Sequence, residues 1–111
     1  MDLVKLSTNY FTVWNSHNIE NLKNIFSEDC SLRDWNINVS SRNNVLSANQ
    51  KIFDDVPDIK VETISQHLSE STNTVVAEII VHLNEKEKLK VVDVITFNQK
   101  GLIKSIRAYQ G

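Results

Sequence analysis

The sequence predicts an α+β fold in which three N-terminal helices pack on one face of a curved, mostly antiparallel sheet. Three observations lead to this prediction. Apolar residues recur every three or four positions through the first half of the chain, which is the period of a helix with one buried face. After the only proline, Pro57, the apolar period falls to two, as in half-buried strands. The connections between the alternating segments are short and polar, which is typical of hairpins.

The helical half begins with an apolar and aromatic stripe that includes Tyr10 and Trp14. Polar residues interrupt this stripe, and among them Asn18 is of a type that caps helix N-termini. Serines precede the third apolar stripe in the same way. We therefore predict helices over 3–17 and 19–26, a turn over 27–29, a short segment over 30–39, and a third helix that begins after Ser40 or Ser41.

The second half contains the strand pattern. The connection over 98–101 ends in Gly101, which suits a turn with positive φ. Hairpins of this kind join antiparallel neighbours, so the sheet is expected to be mostly antiparallel. The segments in which apolar and polar residues alternate are 59–63, 75–83, 89–97 and 102–109.

Length and composition limit the classes of function. A chain of 111 residues fits one domain over 1–111, and a hydrophobic fraction of 41% with 23% charged residues is that of an ordinary globular protein. The net charge of −2 lacks the basic field of a nucleic-acid binder. No apolar run approaches the roughly 20 residues of a membrane span. The first residues resemble no signal segment, so we expect a cytoplasmic protein that binds neither nucleic acid nor membrane.

Metal and cofactor motifs are missing from the sequence. Cys30 is the single cysteine, so one chain cannot form a disulfide or a multi-thiolate zinc site. The three histidines have no second ligand at metal spacing, and there is no glycine-rich phosphate loop. We therefore expect neither a metal nor a cofactor.

Asp93 interrupts an apolar strand face. Its neighbours on the same side of the alternation are Val91 and Ile95, so its carboxyl is predicted to point into an apolar layer. Burial in such a layer disfavours the charged form. Asp93 is either a structural residue held by backbone amides or by Arg107, or a protonated acid that donates a hydrogen bond inside a pocket.

Two further polar residues are candidates for a site. Tyr10 is either a core residue with a satisfied hydroxyl or, beside a neutral acid, one of two donors to an oxyanion. Asp34 lies between Arg33 and Trp35 at the end of a short apolar segment. It is either a surface residue that pairs with Arg33 or accepts turn amides, or a general base beside an indole at a cavity rim.

Three stretches together resemble the nuclear transport factor 2-like superfamily, which includes SnoaL-like and ketosteroid-isomerase-like proteins. They are YFxxWN over 10–15, NIxxLxxIFSEDCSLRDW over 18–35 and KVVDVITFNxxGLIKSIRAY over 90–109. The resemblance implies a cystatin-like fold, a cone-shaped curved sheet with three helices that enclose an apolar cavity. This fold hosts isomerases, dehydratases, hydrolases, cyclases and binding modules, so it implies an architecture more strongly than an activity.

The resemblance to ketosteroid isomerase also implies roles for individual residues. It places the tyrosine of the oxyanion hole on Tyr10, the general-base aspartate on Asp34 and the protonated aspartate on Asp93. Asp34 then removes and returns a proton next to a carbonyl, while Tyr10 and Asp93 hold the dienolate. Asn49 stands where some of these isomerases have a supporting tyrosine, and from there it is expected to hydrogen-bond Tyr10.

The implied cavity is expected to bind a small apolar molecule that carries a carbonyl group. Trp14 and Trp35 stand where smaller residues are usual in the family, which shortens the cavity. The residues that we expect in its wall are Trp14, Trp35, Asn49, Phe53, Val91, Ile95, Ile106 and Ala108.

Two functions remain as hypotheses. The first is an isomerase- or lyase-type enzyme that acts through Tyr10, Asp34 and Asp93. The second is a non-catalytic small-molecule binding or dimeric assembly module of the same fold. In either case the outer sheet face is unusually apolar and predicts a homodimer; its apolar residues are Val76, Ile80, Val92 and Val94.

Overall fold

The computed structural model describes residues 1–111 and contains three α-helices and one six-stranded sheet, which confirms the predicted α+β class. A short 3-10 turn over Glu70–Thr72 joins the third strand to the fourth. The helices are α1 (Leu3–Asn15), α2 (Ile19–Lys23) and α3 (Arg42–Asp55). The strands are β1 (Phe26–Arg33), β2 (Asn38–Ser40), β3 (Lys60–Ser69), β4 (Thr74–His82), β5 (Lys88–Phe97) and β6 (Ile103–Gln110).

The strand order across the sheet is β2-β1-β6-β5-β4-β3. All neighbours are antiparallel except β1 and β6, which run parallel, with Leu32 opposite Ile106. The prediction of a mostly antiparallel sheet is therefore confirmed. The parallel pair has a topological consequence, because it places the end of β1 and the loop that follows it beside β6, one strand away from β5.

Side-chain caps begin all three helices, and those of α2 and α3 were predicted from the sequence. Asp2 accepts the Lys5 amide at 3.0 Å, and Asn18 accepts the Asn21 amide at the same distance. Ser41, rather than Ser40, caps α3 by accepting the Asn44 amide. Each side chain satisfies one of the amides that a helix start leaves without a partner.

The predicted boundary between the second helix and the first strand was wrong. We expected a helix to Phe26 and a turn over 27–29, but α2 ends at Lys23 and β1 begins at Phe26. The reason is tertiary: the Ile103 amide donates to the Ile25 carbonyl at 2.9 Å, and Phe26 pairs with Ile103 across the sheet. These partners come from the other end of the chain, and helical periodicity cannot reveal them.

The two faces of the sheet differ in burial. The odd-numbered residues of β5 from Val91 to Phe97 are buried on the inner face, whereas Val92 and Val94 are half-buried on the outer face. The helices cover the inner face, with Tyr10, Phe11 and Trp14 of α1 in the core. Gly101 has φ of 80°, as its hairpin position predicts.

No helix has both the length and the apolar composition to span a membrane. The cytoplasmic location stays a prediction from the sequence.

Candidate functional site

An apolar cavity of about 300 Å³ lies between the helices and the inner face of the sheet. Seventeen of its 21 lining residues are hydrophobic, so polar contacts with a ligand are confined to a few positions. Its volume is at the lower end of the range for small-molecule sites. The four lining residues that are not hydrophobic are Asp34, Asn36, Asn49 and Asp93.

All three predicted catalytic residues line this one cavity. Tyr10 comes from the middle of α1, Asp34 from the loop after β1, and Asp93 from the centre of β5. They are far apart in the chain, and they come together because α1 packs on the sheet and because β1, β6 and β5 are neighbouring strands. The structure thus brings the three side chains together, while their catalytic roles stay predictions.

Asp93 is buried, with 7% of its surface exposed, and its carboxyl makes no hydrogen bond within the chain. Burial, and secondarily the negative charge of Asp34, raise the pKa of Asp93 to about 7. Arg107 does not pair with it, because this guanidinium donates to Ser105 and Arg107 faces Val94 rather than Asp93 across the sheet. Neither structural alternative for Asp93, backbone amides or Arg107, is therefore observed.

The strands on either side of Asp93 give its carboxyl room. Its cross-strand partners are Ala77 on β4 and Ala108 on β6. A methyl group on each side leaves space above the strand that a larger side chain would fill. The carboxyl therefore faces the cavity instead of a packed core.

Tyr10 is buried among aromatic rings, with Phe11 at 5.0 Å and Phe26 at 6.0 Å between ring centroids. Its hydroxyl makes no hydrogen bond within the chain, so it is not the satisfied core tyrosine of the alternative interpretation. Burial, followed by the charge of Asp93, raises the pKa of Tyr10 well above that of a free phenol. The phenol therefore keeps its proton at neutral pH and can donate it in a hydrogen bond.

Asp34 occupies a tight turn over 34–37 that joins β1 to β2. Its Oδ1 accepts the amides of Asn36 and Ile37, both at 2.7 Å, and its own amide donates to the Ile37 carbonyl at 2.8 Å. The turn-amide interpretation is thus correct, and the residue lines the cavity as well. Arg33 does not pair with Asp34 but donates to the Tyr109 hydroxyl.

Six of the eight predicted wall residues line the cavity: Trp14, Trp35, Asn49, Val91, Ile106 and Ala108. The prediction was wrong for Phe53 and Ile95. Phe53, near the end of α3, is part of the core. Its ring stacks on His17, with the ring centroids 4.2 Å apart, and meets Trp14 edge-on, with the centroids 4.9 Å apart. Ile95 is fully buried and pairs with Val75 and Ile106, one step beyond Asp93 along β5.

The expected hydrogen bond from Asn49 to Tyr10 is also wrong. The Trp14 indole N–H donates to Asn49 Oδ1 at 2.9 Å, and Asn49 Nδ2 donates to the Val45 carbonyl at 2.9 Å. Both ends of the buried amide are therefore occupied. Tyr10 and Asp93 face the cavity without a supporting side chain.

Sequence reasoning missed the opening of the cavity. The residues there are aliphatic and only partly buried, and they come from the ends of several elements. The inward positions of the alternating strands identify some of them, but no local signal places the loop residues. The missed residues at the opening include Ile37, Val56, Val61, Val81, Leu83 and Leu89.

The arrangement combines three chemical capacities in an apolar enclosure. Asp34 offers a carboxylate that accepts two backbone amides, Asp93 a carboxyl that is half-protonated near neutral pH, and Tyr10 a protonated phenol. A carboxylate can accept a proton and the other two groups can donate to a developing oxyanion. No group of three or more His, Cys, Asp or Glu side chains is arranged to hold a metal ion.

Known proteins of the same architecture include the epoxide hydrolase/cyclase-like enzyme SalBIII, described in pyran ring formation in polyether salinomycin (16% identity, TM-score 0.81, 98% of this chain and 90% of that chain). A protein of unknown function from Methylobium petroleophilum has a cystatin-like fold (13% identity, TM-score 0.85, 98% of this chain and 75% of that chain). A candidate ketosteroid isomerase from Kribbella flavida is also similar (17% identity, TM-score 0.81, 96% of this chain and 76% of that chain). At these identities the similarity shows the fold, and it confirms the predicted cystatin-like, nuclear transport factor 2-like cone.

Among curated proteins, no sequence is significantly similar to this chain. The SnoaL-like domain family matches residues 8–106, a range that includes the three predicted catalytic residues Tyr10, Asp34 and Asp93. The match covers most of the chain and agrees with the fold and with the motifs in the sequence. The chain belongs to the SnoaL-like family.

Proposed function

We propose that this protein catalyses proton transfer next to the carbonyl of a small apolar ligand, moving a double bond toward that carbonyl. One observation carries the proposal. A hydrogen-bonded carboxylate, an unpartnered carboxyl with a pKa of about 7 and an unpartnered phenol line the same apolar cavity. Such groups in an apolar cavity are suited to acid-base work and to holding an oxyanion.

The reaction has two proton transfers. The Asp34 carboxylate takes a proton from the carbon between the carbonyl and the double bond, and the electron pair of that C–H bond forms a dienolate. Its negative oxygen accepts hydrogen bonds from the Tyr10 hydroxyl and the Asp93 carboxyl. Asp34 then returns the proton to the far carbon of the dienolate, which leaves the conjugated ketone and restores the carboxylate.

The environments of the two acids separate their roles. Asp34 is partly exposed in the turn after β1, and its Oδ1 accepts two backbone amides. Asp93 is buried and has none, so it holds its proton up to about pH 7. A pair of carboxyls with such different surroundings is the arrangement expected of a base and a hydrogen-bond donor in one site.

The direct test replaces the base. We expect Asp34→Asn to lower the turnover of a panel of small β,γ-unsaturated ketones by at least about 100-fold, because a positioned general base contributes that much or more. The measurement is the ultraviolet absorbance of the conjugated product. Asp58→Asn is the matched control, because Asp58 is exposed and lies outside the cavity wall. Equal turnover in Asp34→Asn and the unmodified protein, or none in either, contradicts the proposal.

The alternative is a non-catalytic module that binds a small molecule in the same cavity. It is supported by the turn over 34–37, in which the bonds of Asp34 have a structural role whether or not it moves protons. This alternative predicts ketone binding, measured by calorimetry, that Asp34→Asn leaves unchanged, without any turnover. The two readouts together therefore distinguish the enzyme from the binding module.

A further inference from the structure

We infer that Trp35 forms an outer subsite of the cavity, which stacks on a flat ring of the ligand while the carbonyl lies deeper, at Tyr10 and Asp93. The substrate class is then a ketone fused to an aromatic or conjugated ring, rather than a compact or purely aliphatic ketone. This inference deepens the proposed function and rests on it in taking the ligand to be a ketone.

The exposure of Trp35 is the first observation. Five large hydrophobic side chains of the protein are substantially exposed, and Trp35, at 45%, is the member of this group that lines the cavity. The other four are Met1, Ile64, Leu68 and Tyr109. An indole held half in water at a cavity mouth presents apolar area that a ligand can cover.

The turn that carries Trp35 holds its backbone in place. Three hydrogen bonds of 2.7 to 2.8 Å close the turn over 34–37 around it, and all three involve Asp34. The indole and the proposed base are therefore adjacent residues of one closed turn. A ring that stacks on the indole lies next to the carboxylate that removes the proton.

Burial changes along the cavity from its inner end to its opening. Tyr10, Trp14 and Asp93 at the inner end are at most 7% exposed. At the opening Val81, Leu83 and Leu89 are only partly buried. Polar donors thus lie deep and apolar side chains lie outside, which orients a ligand with its oxygen inward and its apolar body outward.

The composition of the opening favours a ring over a chain at Trp35. The partly buried residues of the opening other than the turn itself are aliphatic, so the indole provides the aromatic surface there. Aromatic rings prefer offset-stacked or edge-to-face contacts with one another, beyond the area they bury. A planar ring gains this contact and an alkyl chain does not.

The test compares two ketones that differ by a fused ring. Binding of cyclohexanone and of 2-tetralone is measured by calorimetry for the unmodified protein, Trp35→Ala and Trp35→Phe. We expect Trp35→Ala to weaken 2-tetralone about tenfold and cyclohexanone little, and Trp35→Phe to retain most of the 2-tetralone affinity. Leu68→Ala is the control, because Leu68 is exposed to a similar extent (44%) and lies outside the cavity wall.

A second readout locates the ligand without relying on affinity. The protein has two indole N–H groups, of which the Trp14 group is hydrogen-bonded to Asn49, and Trp35→Phe assigns the two NMR signals. We expect 2-tetralone to shift the Trp35 signal more than cyclohexanone does.

The outcomes separate this inference from the proposed function. Equal weakening of both ketones by Trp35→Ala, an unchanged 2-tetralone affinity, or no binding of 2-tetralone to the unmodified protein overturns the inference. Turnover that depends on Asp34 leaves the proposed function standing in the first two cases. Conversely, ring-dependent binding at Trp35 without turnover supports the outer subsite and contradicts the enzyme.

Discussion

Asp93 shows how an apolar sheet face accommodates a carboxyl group. Its lateral neighbours are alanines, its own strand supplies no donor, and its side chain faces the cavity. Burial therefore raises its pKa to about 7 instead of forcing it into an ion pair. The nearby Tyr10 phenol, whose pKa burial and the Asp93 charge both raise, remains a donor under the same conditions.

The pKa of Asp93 predicts a pH dependence of stability. From about pH 4, where an unfolded carboxyl titrates, to about pH 7, the folded state holds a proton that the unfolded chain has released. The free energy of unfolding therefore falls as the pH rises through this window and levels off above it. Asp93→Asn has no carboxyl to titrate, so its free energy of unfolding does not fall in this way. Relative to the unmodified protein, the variant becomes more stable as the pH rises through the window, by an amount on the order of a few kcal/mol.

Urea denaturation at several pH values between 4 and 8 measures this difference, with Asp58→Asn as the control that retains the slope of the unmodified protein. Infrared spectroscopy provides the independent check. A protonated carboxyl band present at pH 6, absent in Asp93→Asn and lost above about pH 7, is the expected result. Parallel stability curves for Asp93→Asn and the unmodified protein would show that the carboxyl has an ordinary pKa.

At the scale of elements, α1 and α3 are joined across the cavity wall by one buried hydrogen bond. The Trp14 indole donates to Asn49, which in turn donates to the carbonyl of Val45 on its own helix. Asn49 is 3% exposed, so its amide has no access to bulk water as a replacement partner. The bond sets the position of the Trp14 ring, which forms part of the cavity wall.

We expect Asn49→Ala to destabilise the fold by about 1–3 kcal/mol, because it leaves the buried indole N–H without an acceptor. Chemical denaturation followed by circular dichroism measures the effect. Gln50→Ala is the matched control on the next position of α3, where the side chain is exposed and bonds to Asp54. A loss in Asn49→Ala no larger than in the control would contradict a structural role for the indole bond.

At the scale of the whole molecule, the outer sheet face has both apolar area and unpaired charge. Val76, Ile80, Val92 and Val94 are half-buried there, although no helix covers them. Arg33 and Arg107 lie opposite each other on β1 and β6, and neither forms an ion pair with an acid. Glu78 lies on β4, two strands from Arg107, and its carboxylate accepts one hydrogen bond, from the Ser65 hydroxyl.

We propose that this face pairs with a second copy of the chain. With a two-fold axis along β5, β6 of one copy lies over β4 of the other, and Arg107 comes within reach of Glu78 of the second copy. The apolar residues then cover each other, and the unpaired arginine gains a carboxylate.

Charge exchange tests the pairing. Arg107→Glu and Glu78→Arg each place like charges together, and we expect either change to weaken self-association at least about tenfold. The double variant restores the pair and most of the association, as measured by sedimentation equilibrium. Lys86→Glu reverses a charge on the exposed β4–β5 hairpin and serves as the control. A monomeric unmodified protein, or a double variant that associates no better than the single ones, refutes this pairing.

Local sequence signals predicted much of this protein. Helix capping at Asn18 and Ser41 depends on the chemistry of one residue and its next three amides, so it can be read from the sequence. The inward direction of Asp93 follows from strand alternation in the same way. Tyr10 could be assigned to a buried helix face on its spacing alone. Each of these properties is determined within a few residues.

Other properties depended on contacts between distant segments. The start of β1 at Phe26 required the backbone of Ile103. The donor to the Asn49 oxygen, the Trp14 indole, was set by how α1 packs against α3. Ile95, one inward position after Asp93, is fully buried between Val75 and Ile106 and lies outside the cavity wall, which strand alternation does not reveal.

The sequence by itself therefore determined the three helices, the four strands after Pro57, the faces they bury and the three candidate polar residues, but it did not determine β1 and β2. Only the tertiary structure decided that these residues share one cavity, that Asp34 keeps its turn amides there, and that Asp93 and Tyr10 have no partner. The physical reason is that periodicity specifies the direction of a side chain. The space in front of that side chain depends on the volumes of residues from strands and helices far away in the chain.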